Sequence, residues 1–315
     1  MPSSQVLTFT DPDDYAASIR RSSIEITVTG RGQFSAKLTS VDLHRLVMQR
    51  AAENLPRVWH SAHEPGRAGI TFRTHRGPSL LLSGVEMRPG DIRRHVAGAE
   101  ILQRSSGSAS FAAMSLPVEE MALLGATIGG HDMAPPKDPL TMTPAPHAMA
   151  KLQRLHATVG CLAEEAPELI ANPDAARGLE QELIEALVDC FVYSERRENS
   201  LAQGQHGIVM RRFRRMVEGS PEQPLYITEI CKAIRVSIRT LQTCCHEHLG
   251  MGPKHYLMLR RMHLARRALR HADPNETTVT EIATRFGFWQ LGRFAVEYQS
   301  LFGETPSATF HRQLA

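Results

Sequence analysis

The sequence has no long apolar run and no recognisable export signal. No stretch of its 315 residues approaches the roughly 18 consecutive apolar side chains that a membrane-spanning helix needs. The opening residues, MPSSQVLTFTDPDDYAAS, lack the basic start, the apolar segment and the small-residue cleavage site of a secretory signal. We therefore expect a cytoplasmic protein that makes no contact with a membrane.

Cysteine is also scarce. The five cysteines are odd in number and form no Cys-x-x-Cys pair, which argues against a disulfide framework or a zinc ribbon. Two of them, Cys244 and Cys245, are adjacent. We interpret both as small buried side chains, because neighbouring helical residues point in different directions; a redox role is the alternative.

Motifs for catalysis are missing as well. The chain contains no Gly-x-Ser-x-Gly elbow, no phosphate-binding Walker loop and no His-Glu-x-x-His pair. His60, His63, Glu64 and His75 carry metal-ligating side chains, but their spacing matches no closed metal site. We expect no metal, no other cofactor and no enzymatic activity. The alternative is a metal-dependent β-barrel enzyme with an accessory helical domain, which metal analysis would detect.

Positive charge is concentrated in the last third of the chain. Residues 211–315 carry 16 Lys/Arg against 9 Asp/Glu, whereas residues 1–210 carry 20 against 24. Polyanions such as nucleic acids bind to surfaces of this sign. Charge alone leaves two interpretations open, a DNA-binding face and a solvated basic surface.

The first 140 residues show the pattern of a β-rich domain. Residues 23–29, SIEITVT, alternate apolar and polar side chains, as a half-buried strand does. Further short apolar runs follow, separated by turn-rich segments such as EPGRAG and RPGD, at residues 41–48, 68–72, 80–82 and 111–116. This pattern predicts a β-sandwich or a barrel-like domain over residues 1–140.

A helical pattern follows a Pro- and Gly-rich stretch at residues 129–146. Leucines recur at helical spacing from Leu152 onward and again from Leu179, and Asn172 before Pro173 is a candidate N-cap. We predict a helical segment over residues 147–218. It either packs on the β domain or joins a second copy of the chain. The Pro-containing SPEQP at 220–224 marks the predicted boundary to the last domain.

One short amphipathic pattern occurs twice in that last domain. Residues 228–241, TEICKAIRVSIRTL, match residues 280–294, TEIATRFGFWQLGRF, and the offset between the copies grows from 52 to 53 after a turn. Each copy predicts a short helix, a tight turn and a second helix that ends at Gly and is followed by Pro. This is the pattern of a helix-turn-helix motif, predicted here at 228–249 and at 280–302.

An arginine-rich segment, HYLMLRRMHLARRALRH at residues 255–271, separates the two motifs. As a helix it would be about 27 Å long. That length can hold two recognition helices near one turn of DNA apart, about 34 Å. We expect two of its arginines, Arg260 and Arg267, to contact phosphates without sequence preference.

Residues 219–315 resemble the C-terminal DNA-binding domain of the AraC/XylS transcription regulators. The resemblance is carried by the paired motifs, by the arginine-rich connector and by the closing FGFWQLGRFAVEYQSLFGETPSATF. It implies a bilobed all-α domain whose two recognition helices enter successive major grooves on one face of DNA. It also implies a preceding region that detects an effector or forms dimers, and activation through contact with RNA polymerase. The chain departs from the family pattern at Arg235, where Gly is usual, at Trp289, where a capping residue is common, and near Val296, where a basic residue is common.

Helical spacing selects the side chains that are expected to contact DNA. Apolar residues four apart, Leu241 with Cys245 and Phe294 with Tyr298, turn inward and leave their neighbours exposed. The candidates are Ile238, Arg239, Gln242 and Thr243 in the first motif and Gln290, Leu291 and Arg293 in the second. Arg can bridge guanine O6 and N7, Gln can bridge adenine N6 and N7, and Ile or Leu can touch a thymine methyl. A solvated side chain or a phosphate contact is the alternative for each.

The sequence therefore predicts an α+β protein of three parts: the β-rich regulatory domain, the helical linker or dimerisation segment, and the domain with two helix-turn-helix motifs. The predicted function is sequence-specific transcriptional regulation at a bipartite site on double-stranded DNA. RNA polymerase, a small-molecule effector and a second copy of the chain are further expected partners. Besides the enzyme, the remaining alternative is an architectural or adaptor protein whose motifs bind other proteins.

Overall fold

The computed structural model describes residues 1–19, 22–125, 127, 133–197, 201–219 and 225–312. The predicted boundary at SPEQP, residues 220–224, lies outside this range, as does part of the Pro- and Gly-rich stretch, residues 129–132. Among the described helices, none is both long enough and apolar enough to cross a lipid bilayer.

Strands dominate the first part of the chain and helices dominate the second. The strands are β1 (Ser3–Phe9), β2 (Ser22–Val28), β3 (Ala36–Asp42), β4 (Val47–Glu53), β5 (Arg57–His63), β6 (Arg67–Arg73), β7 (Leu80–Leu82), β8 (Val85–Glu86), β9 (Ile92–Arg94), β10 (Glu100–Ser105), β11 (Ala109–Pro117), β12 (Leu140–Pro144) and β13 (Ser194–Arg197). The helices are α1 (Pro12–Ser18), α2 (Val118–Leu124), α3 (Pro146–Glu165), α4 (Pro167–Ala171), α5 (Pro173–Val192), α6 (Leu201–Glu218), α7 (Ile227–Ile234), α8 (Ile238–Leu249), α9 (Pro253–His271), α10 (Val279–Arg285), α11 (Leu291–Phe302) and α12 (Pro306–His311).

The strands form two sheets that pack face to face. The larger sheet has the order β1-β3-β4-β11-β6-β9-β12-β13, and the smaller one has the order β2-β5-β10-β7-β8. Every strand pair within them is antiparallel. A shared core lies between the sheets, where Leu38 and Phe111 of the larger sheet meet Ile26 and Trp59 of the smaller one. The predicted β-rich sandwich is thus confirmed, as two open sheets rather than a closed barrel.

The other face of the larger sheet is covered by helices. Leu152 of α3 and Leu187 of α5 are 0% and 1% exposed, and they share a core with Met48, Phe72 and Met114 of the sheet. The two long helices therefore pack on the β domain, which was the first of the two interpretations of their apolar faces. A second-copy interface through this segment stays a prediction.

Two local features differ from the sequence pattern. The apolar run at 41–48 is not one strand: it spans the turn between β3 and β4, whose hydrogen-bonded register pairs Asp42 with Val47. Strand β13 lies within the predicted helical segment and pairs with β12 at the edge of the larger sheet. Neither feature has a distinctive hydrophobic period in the sequence, because each is defined by pairing with a neighbouring strand.

The last part of the chain is a bilobed all-α unit built on α9. The first lobe packs α6, α7 and α8 against the start of α9 around Phe213, Ile230 and Leu241. The second lobe packs α10, α11 and α12 against the rest of α9 around Ile282, Phe294 and Phe310. Nineteen residues make α9 about 28 Å long. This single helix holds the two lobes apart.

Candidate DNA-binding interface

The first lobe contains a complete helix-turn-helix motif. Helix α7 ends at Arg235, whose φ of 57° and ψ of 52° place it in the left-handed region. The amide of Val236 then donates to the carbonyl of Cys231 at 3.0 Å and closes the turn. Ser237 caps α8 by accepting a hydrogen bond from the amide of Thr240. The turn therefore uses an arginine where glycine would adopt the same conformation at lower cost.

The second lobe repeats this geometry. Helix α10 begins with a capping box between Thr278 and Glu281. Gly287 occupies the left-handed position with a φ of 77°, and the amide of Phe288 donates to the carbonyl of Ala283 at 2.9 Å. Helix α11, like α8, is 12 residues long and ends at a left-handed glycine. The two sequence copies thus fold into two copies of one motif.

The structure exposes the residues predicted for the first recognition helix. In α8, Leu241 and Cys245 are each 0% exposed and face the lobe's core. Their neighbours on the opposite face are open to solvent, namely Ile238, Arg239, Gln242 and Thr243. The N-terminal half of α8 is therefore free to enter a groove. Its far end packs against β10 and the turn between β7 and β8, where a side chain at Gly84 would collide with His248.

The residues predicted for the second recognition helix are exposed too. Phe294 and Tyr298 of α11 are 3% and 0% exposed, and the hydroxyl of Tyr298 donates to Thr309 at 2.8 Å. Gln290, Leu291 and Arg293 lie on the solvent side. Arg293 donates to Glu297 one turn further on, at 2.7 Å. Base contact by any of these residues stays a prediction.

Arg260 and Arg267 have partners that the sequence did not indicate. Arg260 is only 6% exposed, and its guanidinium binds both carboxylate oxygens of Glu25 on β2, at 2.7 and 3.1 Å. Arg267 donates to Asp13 on α1. Phosphate contact by either residue stays a prediction, and it would require these ion pairs to be shared with DNA or broken. Carboxylates of the N-terminal domain already hold their guanidinium groups.

These two pairs belong to an interface between α9 and the N-terminal domain, here called the spine interface. Its other ion pairs join Arg266 to Asp11 at 2.6 Å, and Arg270 to Asp11 and Asp14. Two hydrogen bonds complete it, between His60 and Tyr256 at 2.9 Å and between His263 and the carbonyl of Val28 at 3.0 Å. The spine of the DNA-binding unit is therefore fixed to β2, β5 and α1.

Burial and charge shift the acidity of the groups in the spine interface. Burial alone would raise the pKa of Glu25, but the hydrogen bonds and charge of Arg260 outweigh it and hold that pKa below its ordinary value. The pKa of Asp11 is lowered in the same way, with Arg266 and Arg270 outweighing the effect of burial. Burial lowers the pKa of His60 to about 3, so this imidazole is neutral near pH 7.

The sequence contains a signal for the spine interface in the form of two complementary charge runs. Residues 11–14 read DPDD, a compact acidic run, and the connector carries an equally compact basic one. Asp11 also caps α1, because its side chain accepts from the amides of Asp13 and Asp14. Complementary charge runs can suggest a pairing, but the sequence does not show that they meet.

Other chemistry-bearing side chains are accounted for locally. Cys244 and Cys245 are fully buried, and burial raises the pKa of the first thiol to about 11 and of the second to about 12. A protonated buried thiol is a poor nucleophile, which favours the interpretation as core residues. Within the described parts of the chain, no group of three or more His, Cys, Asp or Glu side chains could hold a metal ion.

The fold and the exposed helices define a class of protein: a chain with a two-lobed helix-turn-helix unit at its C-terminal side. Residues 230–312 match the family model described as "Helix-turn-helix domain". The "Probable thc operon regulatory protein" of Rhodococcus erythropolis is 43% identical over 91 residues, which cover 29% of this chain and 27% of that protein. The "XylDLEGF operon transcriptional activator 3" of Pseudomonas putida is 35% identical over 97 residues, which cover 31% of this chain and 29% of that protein.

A solved structure of a probable AraC family transcriptional regulator from Rhodopseudomonas palustris CGA009 is 30% identical; the match covers 33% of this chain and 95% of that one, with a TM-score of 0.30. The C-terminal part of the chain, residues 230–312, is thus a helix-turn-helix domain similar to those of AraC/XylS regulators, as its paired motifs indicated. The chain spans less than a third of the length of the two curated relatives named above.

Proposed function

We propose that this protein is a sequence-specific DNA-binding transcriptional regulator that reads a bipartite site in two successive major grooves. One observation carries the proposal: two motifs of equal geometry, each with an exposed helix N-terminus, are mounted on a single helix about 28 Å long. A recognition helix enters the major groove with its N-terminal residues toward the bases. The exposed N-terminal halves of α8 and α11 fit that use.

The two lobes differ in sequence, so one chain can read an asymmetric site without a partner. We propose residues 219–315 as the DNA-binding unit, residues 147–218 as a helical linker that also joins two copies, and residues 1–140 as the regulatory domain. The protein acts as an activator through contact with RNA polymerase. It has no enzymatic activity, and its site of action is the cytoplasm. Sedimentation of the purified chain tests the dimer.

We propose that the regulatory domain detects a small effector in the core between its two sheets. A cavity of about 50 Å³ lies there, lined by Trp59, Ile101 and Gln103 among others. Gln103 is 5% exposed and its amide nitrogen has no hydrogen-bond partner. Such a buried donor favours a ligand with an acceptor oxygen or nitrogen. A cavity of this size holds only a few atoms, so a larger effector must separate the sheets.

Selection from a random duplex library tests the DNA-binding function. The purified full chain is mixed with the library, bound duplexes are recovered over several rounds, and the enriched sequence is footprinted. We expect one enriched sequence with two short blocks and a protected region of about two helical turns. A library that shows no enrichment, or uniform weak protection, would contradict the proposal and favour an architectural or adaptor protein.

A matched pair of variants separates base reading from general charge. Arg239→Ala removes an exposed side chain from the first recognition helix, whereas Arg211→Ala removes an exposed arginine from α6 outside both motifs. We expect Arg239→Ala to weaken binding to the selected duplex by about 1–3 kcal/mol and to relax preference at one base pair. Arg211→Ala should change neither the preference nor the enriched sequence.

A further inference from the structure

The extra residue of the second motif can be located from the structure. In both motifs the left-handed residue, Arg235 or Gly287, is followed by an amide that donates five residues back, and these positions keep the offset of 52. The N-caps of the two recognition helices, Ser237 and Gln290, are offset by 53. The inserted residue is therefore Trp289, which lies directly before the N-cap of the second recognition helix.

The two recognition helices differ in chemistry at equivalent positions. With the offset of 53, the exposed Arg239, Gln242 and Thr243 of α8 correspond to Gly292, Ala295 and Val296 of α11. The first helix thus presents a cation, an amide and a hydroxyl. The second presents no hydrogen-bonding side chain at any of these three positions.

Three large apolar side chains are exposed at or beside the second recognition helix instead. Trp289 is 73% exposed, Val296 is 69% exposed and Leu291 is 39% exposed. Gly292 follows Leu291 on α11, and a Cβ placed on it would meet nothing within 4 Å, so the helix surface is open at that point. Arg293, which follows Gly292 on α11, is held by Glu297. Large apolar side chains exposed together indicate a binding surface.

We propose that the second motif reads thymine methyl groups through this apolar face, with Val296 and Leu291 in the major groove and Trp289 against the backbone sugar at its edge. This inference rests on the proposed function, which supplies DNA as the occupant. The C5-methyl of thymine is the apolar group of the major groove, and aliphatic side chains recognise it by contact. The two lobes then read DNA differently, the first by hydrogen bonds and the second by apolar contact.

Replacing thymine by deoxyuridine tests the proposal, because it removes the methyl and keeps every hydrogen-bonding group. The duplex selected by the full chain is resynthesised with single deoxyuridines in each block in turn. We expect the block read by the second motif to contain thymines, and each contacted methyl to contribute about fourfold to affinity. Deoxyuridine in the first block should have a smaller effect.

Variants assign each methyl to a side chain. In Val296→Ala, the loss of affinity caused by deoxyuridine at one position should shrink toward onefold. Thr243→Ala changes the matched position of α8, so the loss of affinity in the second block should stay at about fourfold. Equal penalties in the wild-type chain and in Val296→Ala would overturn the assignment of that residue to that methyl.

Fluorescence gives an independent measurement for Trp289. The chain has two tryptophans, and the other one, Trp59, is 6% exposed in the core of the regulatory domain. Acrylamide should quench Trp289 strongly in the free protein and at least about twofold less on the selected duplex, because DNA then covers the exposed ring. Trp289→Phe serves as the control and should remove the DNA-dependent part of the signal.

The outcomes distinguish this inference from the function on which it rests. If a selected duplex binds tightly but deoxyuridine in the second block costs nothing and Trp289 stays equally quenched, the apolar reading is wrong while the regulator function stands. In that case the exposed face of α11 binds a protein partner instead. If no duplex is selected at all, the proposed DNA-binding function itself is contradicted.

Discussion

The guanidinium of Arg260 binds both carboxylate oxygens of Glu25 across 235 residues of sequence, at 2.7 and 3.1 Å. A third hydrogen bond runs from the same group to the carbonyl of Val217 at the end of α6. One side chain of α9 therefore contacts both the β domain and the first lobe. This contact and the ion pairs of α1 help to set the orientation of the DNA-binding unit relative to the β domain.

Removing the carboxylate of Glu25 should destabilise the protein. Glu25→Gln keeps the shape of the side chain but leaves the buried guanidinium of Arg260 without a counter-charge. Because the Glu25 side chain is 24% exposed, we expect a loss of about 1–3 kcal/mol in the free energy of unfolding, less than for a fully buried pair. Urea-induced unfolding measures it.

Glu297→Gln is the matched control for this change. Glu297 pairs with Arg293 on the surface of α11, where the arginine side chain is 72% exposed. We expect a change of about 0.5 kcal/mol or less, as for other exposed pairs one helical turn apart. Equal effects of the two substitutions would mean that the spine interface does not stabilise the fold.

Arginines of the spine interface should differ from those of the recognition helices in their salt dependence. The slope of log affinity against log salt concentration counts the phosphates that are neutralised. We expect Arg239→Gln, which removes an exposed cation of the first recognition helix, to lower this slope by up to about 1, and Arg260→Gln to leave it unchanged. A reduced slope for Arg260→Gln would show that DNA binding releases Arg260 from Glu25.

The turn of the first motif should tolerate, and benefit from, a glycine. Arg235 has a φ of 57°, where a side chain costs about 1–2 kcal/mol, and glycine removes that cost. Part of the gain is lost because glycine is more flexible in the unfolded chain. We predict that Arg235→Gly raises the free energy of unfolding by about 1 kcal/mol, and that Gly287→Ala lowers it by a similar amount. Thermal unfolding without DNA measures both, and a destabilised Arg235→Gly would contradict the assigned turn.

Acid should destabilise the folded chain well before its carboxylates titrate. Burial lowers the pKa of His60 to about 3; the charge of Glu25 opposes this shift, and the charges of Arg214 and Arg260 add to it. Burial also lowers the pKa of His263. In the unfolded chain both titrate near 6.5. Protonation of these imidazoles favours the unfolded state. The free energy of unfolding therefore keeps their full contribution above pH 6.5 and falls as the pH drops toward the folded pKa.

We therefore expect His60 to remove about 1 kcal/mol of stability between pH 6.5 and 5.5, and His263 to act in the same direction. Urea unfolding of the wild-type chain and of His60→Gln across this range measures the effect. Gln can replace the imidazole as a partner of the Tyr256 hydroxyl but does not titrate. The variant should show the smaller pH dependence, and identical curves would show that His60 takes up its proton in the folded chain.

The sequence predicted those parts of the fold whose signal is local. The recognition helices and α9 follow from periodicity, caps and the terminal glycines. The exposure of the candidate DNA-contacting residues in both motifs follows from the same periodicity. The hairpin within 41–48 and strand β13 were not predicted, because pairing with distant strands defines them. The partners of Arg260 and Arg267 were missed for the same reason. The acidic run DPDD is complementary in charge to the arginine-rich connector, but the sequence alone does not show which domain it contacts.

The account depends most directly on α9 holding the two recognition helices at one fixed separation. In the selected duplex, five or ten base pairs are inserted between the two blocks, and affinity is measured at constant salt. A rigid spine predicts that both insertions lower the affinity to that of a single block, because even a full added turn places the second groove about 34 Å too far away. Affinity restored by the ten-base-pair insertion, or unchanged by either one, would contradict the account.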